Sequence, residues 1–169
     1  MRIATERLWI DPLREEDALF FYELLNSPGW LQFIGDRQVT DERSARAYIK
    51  EKLAYKGYHC SVCRLKASGR SIGTVSFIYR EGHAYPDVGY ALLPEAEKQG
   101  YALEAVQQYL TCMVHEMRLD KVIAIVMPGN TRSVRLLEKL GFSFGKLYME
   151  DQTELAIYER VVSDSVGKQ

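Results

Sequence analysis

An α+β fold of the mixed α/β kind is what this chain predicts, and three features predict it. Strand-like and helical periodicities alternate in the order β-α-α-β-β-β-α-β-α-β-β, which gives one mixed sheet with helices packed on it. The run Val122-Ile123-Ala124-Ile125-Val126-Met127 is apolar on both faces, as an interior strand covered from both sides must be. Around 100–118, Leu103, Val106, Leu110, Met113, Val114 and Met117 recur at helical spacing, a stripe suited to covering a sheet. A length of 169 residues fits one domain, assigned to 1–162 with a frayed tail at 163–169.

The elements follow in order. Leu8, Ile10 and Leu13 suggest an opening strand, and Ala18, Phe21, Tyr22 and Leu25 then mark a helix. Glu15, Glu16 and Asp17 fall in its first turn, where the helix dipole favours anions. The sequence NSPGW breaks this helix and WLQFIG reads as a short apolar turn or helical stub. A second helix at about 41–55 places Ala45, Tyr48, Ile49 and Leu53 on one face. Residues 58–66 and 71–80 form a hairpin around Ala67-Ser68-Gly69-Arg70, and Asp87 to Leu93 make the next strand. After the long helix and the interior strand, a short helix at about 131–140 ends at Gly141, a natural C-terminal stop. Strands at about 142–149 and 154–161 finish the sheet.

Composition narrows the function classes. With 47% hydrophobic and 27% charged residues and a net charge of −1, the chain is ordinary for a globular protein, and non-specific nucleic-acid binding is disfavoured. No stretch approaches the roughly 20 apolar residues of a membrane span. The first residues lack the apolar run of a signal peptide, so a cytoplasmic location is expected. Cys60 and Cys63 form a lone C-x-x-C on a strand, where residues three apart face opposite ways. Buried reduced thiols, and no metal, are the expectation.

Two segments carry chemistry. In Leu92-Leu93-Pro94-Glu95-Ala96-Glu97-Lys98-Gln99-Gly100-Tyr101-Ala102 a strand and a tight loop lead into the long helix. Helix N-termini bind phosphate through unpaired amides, and Gly100 with the small Ala102 permits close approach. Taken alone, this loop equally suits a plain strand-to-helix connection. Asn130-Thr131-Arg132-Ser133 follows a strand and opens a helix. Asn130 is a good N-cap that Ser133 would reinforce, so the segment alone also reads as structural.

In this order, VGYALLPEAEKQGYALEAV and NTRSVRLLEKLGF resemble the signature of the GNAT acetyltransferases. The family's loop has Arg or Gln, then Gly three positions on, then Gly or Ala two beyond; Gly100 and Ala102 match, while Glu97 and Lys98 depart from it. The later pattern N-x-x-S-x-x-L-x-x-K-x-G-F is complete at Asn130, Ser133, Leu136, Lys139, Gly141 and Phe142. TERLWIDPLREEDA looks like the family's first strand and helix, and the likeness runs nearly the whole chain, nearest to the RimJ/RimL-type branch. It implies a mostly antiparallel mixed sheet of about six to seven strands, about four flanking helices and one splayed strand pair.

The resemblance also implies a reaction and a site. Acetyl-CoA would donate to a primary amine by direct attack in a ternary complex, the acceptor being a protein N-terminus or a small molecule such as a metabolite or antibiotic. The backbone of Leu92 and Leu93 would hold the pantetheine arm, one amide also polarising the thioester carbonyl. Amides of Lys98, Gln99, Gly100, Tyr101 and Ala102 would hold the pyrophosphate, and Asn130 the pantetheine end. Arg132, Arg135 and Lys139 are candidates for the 3′-phosphate, with solvated helix charges as the alternative. Many relatives place an acidic Tyr seven residues after the Asn; this position is Leu137 here, so Ser133 is the candidate to hydrogen-bond the leaving thiolate. Asp87 aligns with a strand glutamate used as base, its alternative being a solvated strand-start carboxylate; His83 and Tyr85 are weaker candidates, and His59 reads as structural. Trp30, Phe33, Ile34 and Tyr85 are candidates for the acceptor pocket, although such aromatics equally suit a core. A CoA-binding module with little turnover is the reading from another class. A monomer or homodimer is expected, with no metal, nucleic-acid or membrane partner.

Overall fold

The computed structural model describes residues 1–162; the tail predicted to fray, 163–169, lies outside them. Eight strands form one sheet in the order β1-β2-β3-β4-β5-β6-β8-β7. They are β1 (Ile3–Ala4), β2 (Leu8–Pro12), β3 (Tyr58–Leu65), β4 (Ser71–Ile78), β5 (Asp87–Leu92), β6 (Lys121–Val126), β7 (Ser143–Glu150) and β8 (Thr153–Val161). Every pairing is antiparallel except that of β5 with β6. The helices are α1 (Ala18–Leu25), α2 (Pro28–Phe33), α3 (Glu42–Leu53), α4 (Tyr101–Met117) and α5 (Thr131–Lys139). Among the described residues no helix is long and apolar enough to cross a membrane.

Helices cover both faces of the sheet and give it two cores. One gathers Val106, Tyr109 and Leu110 of α4 and Leu137 of α5 against Ile10, Val75, Phe77 and Val122. The other packs Phe21 and Leu24 of α1 and Ala45 and Ile49 of α3 against Val62 and Leu93. Strand alternation divides the cysteines accordingly: Cys63 belongs to the first core and Cys60 to the second. Burial pushes both thiols up to about 12, so they stay protonated and unreactive near neutrality.

Two small elements go beyond the expected pattern. β1 is only two residues long, too short for alternation to show. α2 is the helical stub expected around WLQFIG, extended back to Pro28, which sits in its first turn, the one part of a helix that proline suits. The inner faces of the first two full helices also shift. Tyr22 and Leu53 are exposed, and Leu24 takes the core position on α1.

Candidate active site

The site begins where β5 and β6 part. Their parallel pairing contains one registered couple, Asp87↔Ile123. The Ile123 N–H donates to the Pro86 carbonyl at 3.0 Å. At the next step a side chain replaces the ladder: Asp87 Oδ1 accepts from the Ile125 N–H at 2.9 Å. Beyond it each strand keeps only its outer neighbour, β5 with β4 and β6 with β8. The strands diverge toward their C-terminal ends.

Asp87 is 4% exposed, and its Oδ2 accepts from Arg80 Nε at 2.7 Å. Burial pushes its carboxyl above the usual range, against the pull of Arg80 and the Ile125 amide. It is therefore no solvated strand-start residue. Nor does it stand as the open base that its alignment implied, since both oxygens already hold the strand junction.

Backbone groups on a strand alternate sides. The Leu93 N–H donates to Ile72 O at 2.8 Å and its carbonyl accepts from the Ala96 N–H at 2.9 Å. Leu93 thus has neither group free, contrary to expectation, and its side chain is buried. Leu92 and Tyr90 aim their N–H and C=O groups the other way, into the gap beside β6.

At the open end of the gap lies the loop into α4. Pro94–Ala96 make one turn of 3-10 helix, and Lys98 and Gly100 then adopt left-handed φ values of 62° and 82°. Gly100 is the N-cap and offers no capping side chain, so the first α4 amides keep their hydrogens for an anion. Lys98, Gln99 and Gly100 are exposed, and Tyr101 and Ala102 half-buried.

Arg7, in the turn before β2, fixes this loop. It donates to the Gln99 carbonyl at 3.0 Å and lies 4.2 Å from the Tyr101 ring centre. Glu104 of α4 accepts from Thr5 Oγ1 at 2.6 Å, from the Arg7 N–H at 2.8 Å and from Arg7 Nε at 2.7 Å. Burial alone would raise the Glu104 carboxyl, but these bonds outweigh it and hold it below its usual range. A carboxyl depressed on folding adds stability above its unfolded value, about 4.3, and that stability is lost as pH falls through the folded value. Urea midpoints between pH 6 and pH 3 are expected to fall less steeply for Glu104→Gln than for the parent protein. Identical slopes would remove Glu104 from the acid response.

Across the gap stands α5. Asn130 caps it, its Oδ1 accepting from the Ser133 N–H at 3.3 Å. The Ser133 hydroxyl is 2.8 Å from the Tyr90 hydroxyl on β5, a contact that joins the two sides of the gap. Arg132 Nη1 pairs with Glu97 at 2.6 Å. Glu97, which stands where the family's loop has Arg or Gln, is thus paired with a cation on α5. Arg135 and Lys139 are exposed, and Arg135 lines a groove between α5 and the β7–β8 hairpin with Phe144, Leu147 and Tyr158. Leu137 is buried in the core.

The four acceptor candidates are not assembled as one pocket. Trp30, Phe33 and Ile34 belong to the end of α2, whose Gly29 lies beside Glu97. Trp30 packs on the second core with its indole N–H buried and without a protein partner among the described residues. Tyr85 is at the opposite end of β5, where the Lys121 ammonium lies 5.2 Å from its ring centre. His83 meets Tyr148 edge-on at 5.6 Å, beside the Asp87–Arg80 pair. Tyr90, Arg7, Arg80 and Tyr148 contact the candidate site residues and were not singled out by sequence reading. Only Tyr90 left a trace, as the residue between Val88 and Leu92 on one face of a strand.

Comparison with known proteins identifies the family and the fold. The family profile described as Acetyltransferase (GNAT) domain matches residues 7–143. The chain is 31% identical over 134 residues to a Bacillus subtilis protein named probable N-acetyltransferase YjcK, covering 77% of this chain and 71% of that one. It is 26% identical over 165 residues to Bacillus subtilis YkkB, covering 94% and 95%. Among solved structures, a ribosomal-protein-S5-alanine acetyltransferase from Vibrio fischeri superposes with a TM-score of 0.81 at 18% identity, over 97% of this chain and 98% of that one. RimL, a ribosomal L7/L12 alpha-N-protein acetyltransferase solved in complex with coenzyme A, superposes with a TM-score of 0.83 at 14% identity, over 96% and 98%. The structural likenesses speak for the fold and the profile match for the family: the chain belongs to the GNAT acetyltransferases.

Proposed function

We propose that the protein transfers an acetyl group from acetyl-CoA to a primary amine, and that the acceptor is a protein N-terminus. One observation carries the reading. β5 and β6 separate after a single registered pair, leaving the strand edge at Tyr90 and Leu92 unpaired beside a helix N-terminus that has no capping side chain. An extended amide-bearing arm ending in phosphates fits both features. The fold shared with RimL and with the S5-alanine enzyme favours a protein terminus over a small amine.

Acetyl-CoA, when bound, supplies a thioester whose C–S bond breaks as the amine nitrogen bonds the carbonyl carbon, sulfur keeping the electron pair and the nitrogen shedding its protons to water. The chain's residues do the rest. The amides of Lys98 to Ala102 hold the pyrophosphate, and the edge groups of Tyr90 and Leu92 hold the pantetheine amides. Asn130, its oxygen committed to the cap, has its amide nitrogen available for the same arm. Arg132 neutralises Glu97, and Arg135 and Lys139 are left for the 3′-phosphate. Ser133 hydrogen-bonds the departing thiolate. Asp87 acts as a positioning residue that keeps the strands apart, and deprotonation of the acceptor falls to solvent.

The test is free-thiol release from acetyl-CoA against peptides with different N-termini and a panel of small amines. Release with peptides supports the proposal, and release with small amines alone replaces the acceptor. Tight binding without thiol release from any acceptor would leave a CoA-binding module instead. Ser133→Ala is expected to lower kcat by about tenfold to a hundredfold and to change the acetyl-CoA Kd by less than about threefold. Kinetics equal to those of the parent enzyme would remove Ser133 from the mechanism.

A further inference from the structure

We propose that Tyr90 is a positioning residue for the leaving group: its hydroxyl binds the oxygen of Ser133 and so directs the serine hydrogen into the gap, toward the sulfur. The inference rests on the acetyl-transfer reading above, in which the Tyr90 backbone meets the pantetheine arm, and adds to it a separate role for the Tyr90 side chain, which touches neither substrate.

The geometry holds Ser133 at two points. Its N–H is tied to Asn130 Oδ1 at 3.3 Å, which fixes the first turn of α5. Its Oγ lies 2.8 Å from Tyr90 Oη, so the side chain is fixed from β5, the strand facing α5 across the gap. Which hydroxyl donates follows from acidity. A phenol, with a pKa of about 10, gives up its hydrogen far more readily than an alkyl alcohol. Tyr90 therefore donates and Ser133 accepts. Among the described residues no protein acceptor takes the hydrogen of Ser133, which leaves it for a ligand. A hydroxyl that already accepts one hydrogen bond donates a second more strongly, because the chain polarises.

Burial raises the Tyr90 hydroxyl above its ordinary value, the Ser133 bond and the nearby Arg132 charge opposing. Arg132 is itself paired with Glu97, so its pull is tempered. The phenol remains a donor across the neutral range. The position that would carry an acidic tyrosine in many relatives is Leu137, buried in the core. Tyr90 offers a different arrangement, in which a strand tyrosine acts through a helix serine.

The experiment titrates the thiol of bound CoA by its thiolate ultraviolet absorbance, on the parent protein, Tyr90→Phe, Ser133→Ala and the double variant. Steady-state kinetics and acetyl-CoA Kd are measured alongside. In the parent the bound thiol is expected to titrate below free CoA, since hydrogen bonds to the thiolate favour it. Tyr90→Phe keeps the ring and should raise that value by about half a pH unit to one unit. It should also lower kcat roughly fivefold to tenfold at unchanged Kd. In the Ser133→Ala background the same substitution should have no further effect, because Tyr90 acts only through the serine. If Tyr90→Phe leaves titration and kcat as in the parent, or if its effect persists without Ser133, the proposal is overturned while acetyl transfer stands. If the parent protein binds no CoA at all, the parent reading falls and takes this one with it.

Discussion

Gly100→Val is expected to abolish acetyl-CoA binding while the sheet and both cores stay folded. Gly100 caps α4 with φ 82°, a conformation that costs an L-residue about 1–2 kcal/mol and a β-branched one more. A side chain there would also meet Arg7 Nη2, 3.4 Å from the ideal Cβ position. Arg7 holds the Gln99 carbonyl and cannot retreat without releasing the loop. The strain of the left-handed φ is relieved when the backbone leaves that region, and the amides proposed to hold phosphate turn away with it. Affinity should fall at least about a hundredfold, roughly 2.7 kcal/mol. Calorimetric titration with acetyl-CoA measures the loss, and a melting curve shows that the domain persists. Unchanged affinity would mean that the pyrophosphate lies elsewhere.

The second large effect is on stability. At Gly73 on β4 an added Cβ would lie 2.5 Å from Leu92 Cδ2 and closer still to the Ala91 carbonyl oxygen. That oxygen is backbone near the C-terminal end of β5, where Gly73 pairs with Leu92, so relief requires β4 and β5 to move apart there. Gly73→Ala should therefore cost about 3 kcal/mol or more, or roughly 6–12 °C in Tm for a chain of this size. Leu92 borders the gap, so the displacement should weaken cofactor binding as well. Gly129→Ala is the control: nothing lies within 4 Å of its added Cβ, and its stability should stay within about 0.5 kcal/mol of the parent. A Gly73→Ala protein as stable as this control would show that β4 and β5 can part at this point at little cost.

Much of this architecture can be read from the chain. The apolar run at 122–127 is the interior strand β6, and the stripe from Leu103 to Met117 covers the sheet as α4. Asn130 caps α5 through the Ser133 amide, as its residue type predicts. The misreading at Leu93 has a local cause. Leu93 faces inward with both backbone groups bonded, because the phase of a strand depends on its partner's register.

Periodicity, caps and the spacing of Asn130, Ser133 and Gly100 are local properties, set by neighbours a few residues away, so the chain alone was enough for element types, order and family. The pairings that make the site span long separations: Arg7 with Glu104 over 97 residues, Tyr90 with Ser133 over 43, Ile125 with Asp87 over 38 and Arg132 with Glu97 over 35. No local pattern encodes such contacts. They exist because β5 and β6 lie side by side in the sheet, and that adjacency comes from burying two apolar cores at once. Packing on both faces thus made Asp87 the acceptor of the Ile125 amide and Tyr90 the partner of Ser133.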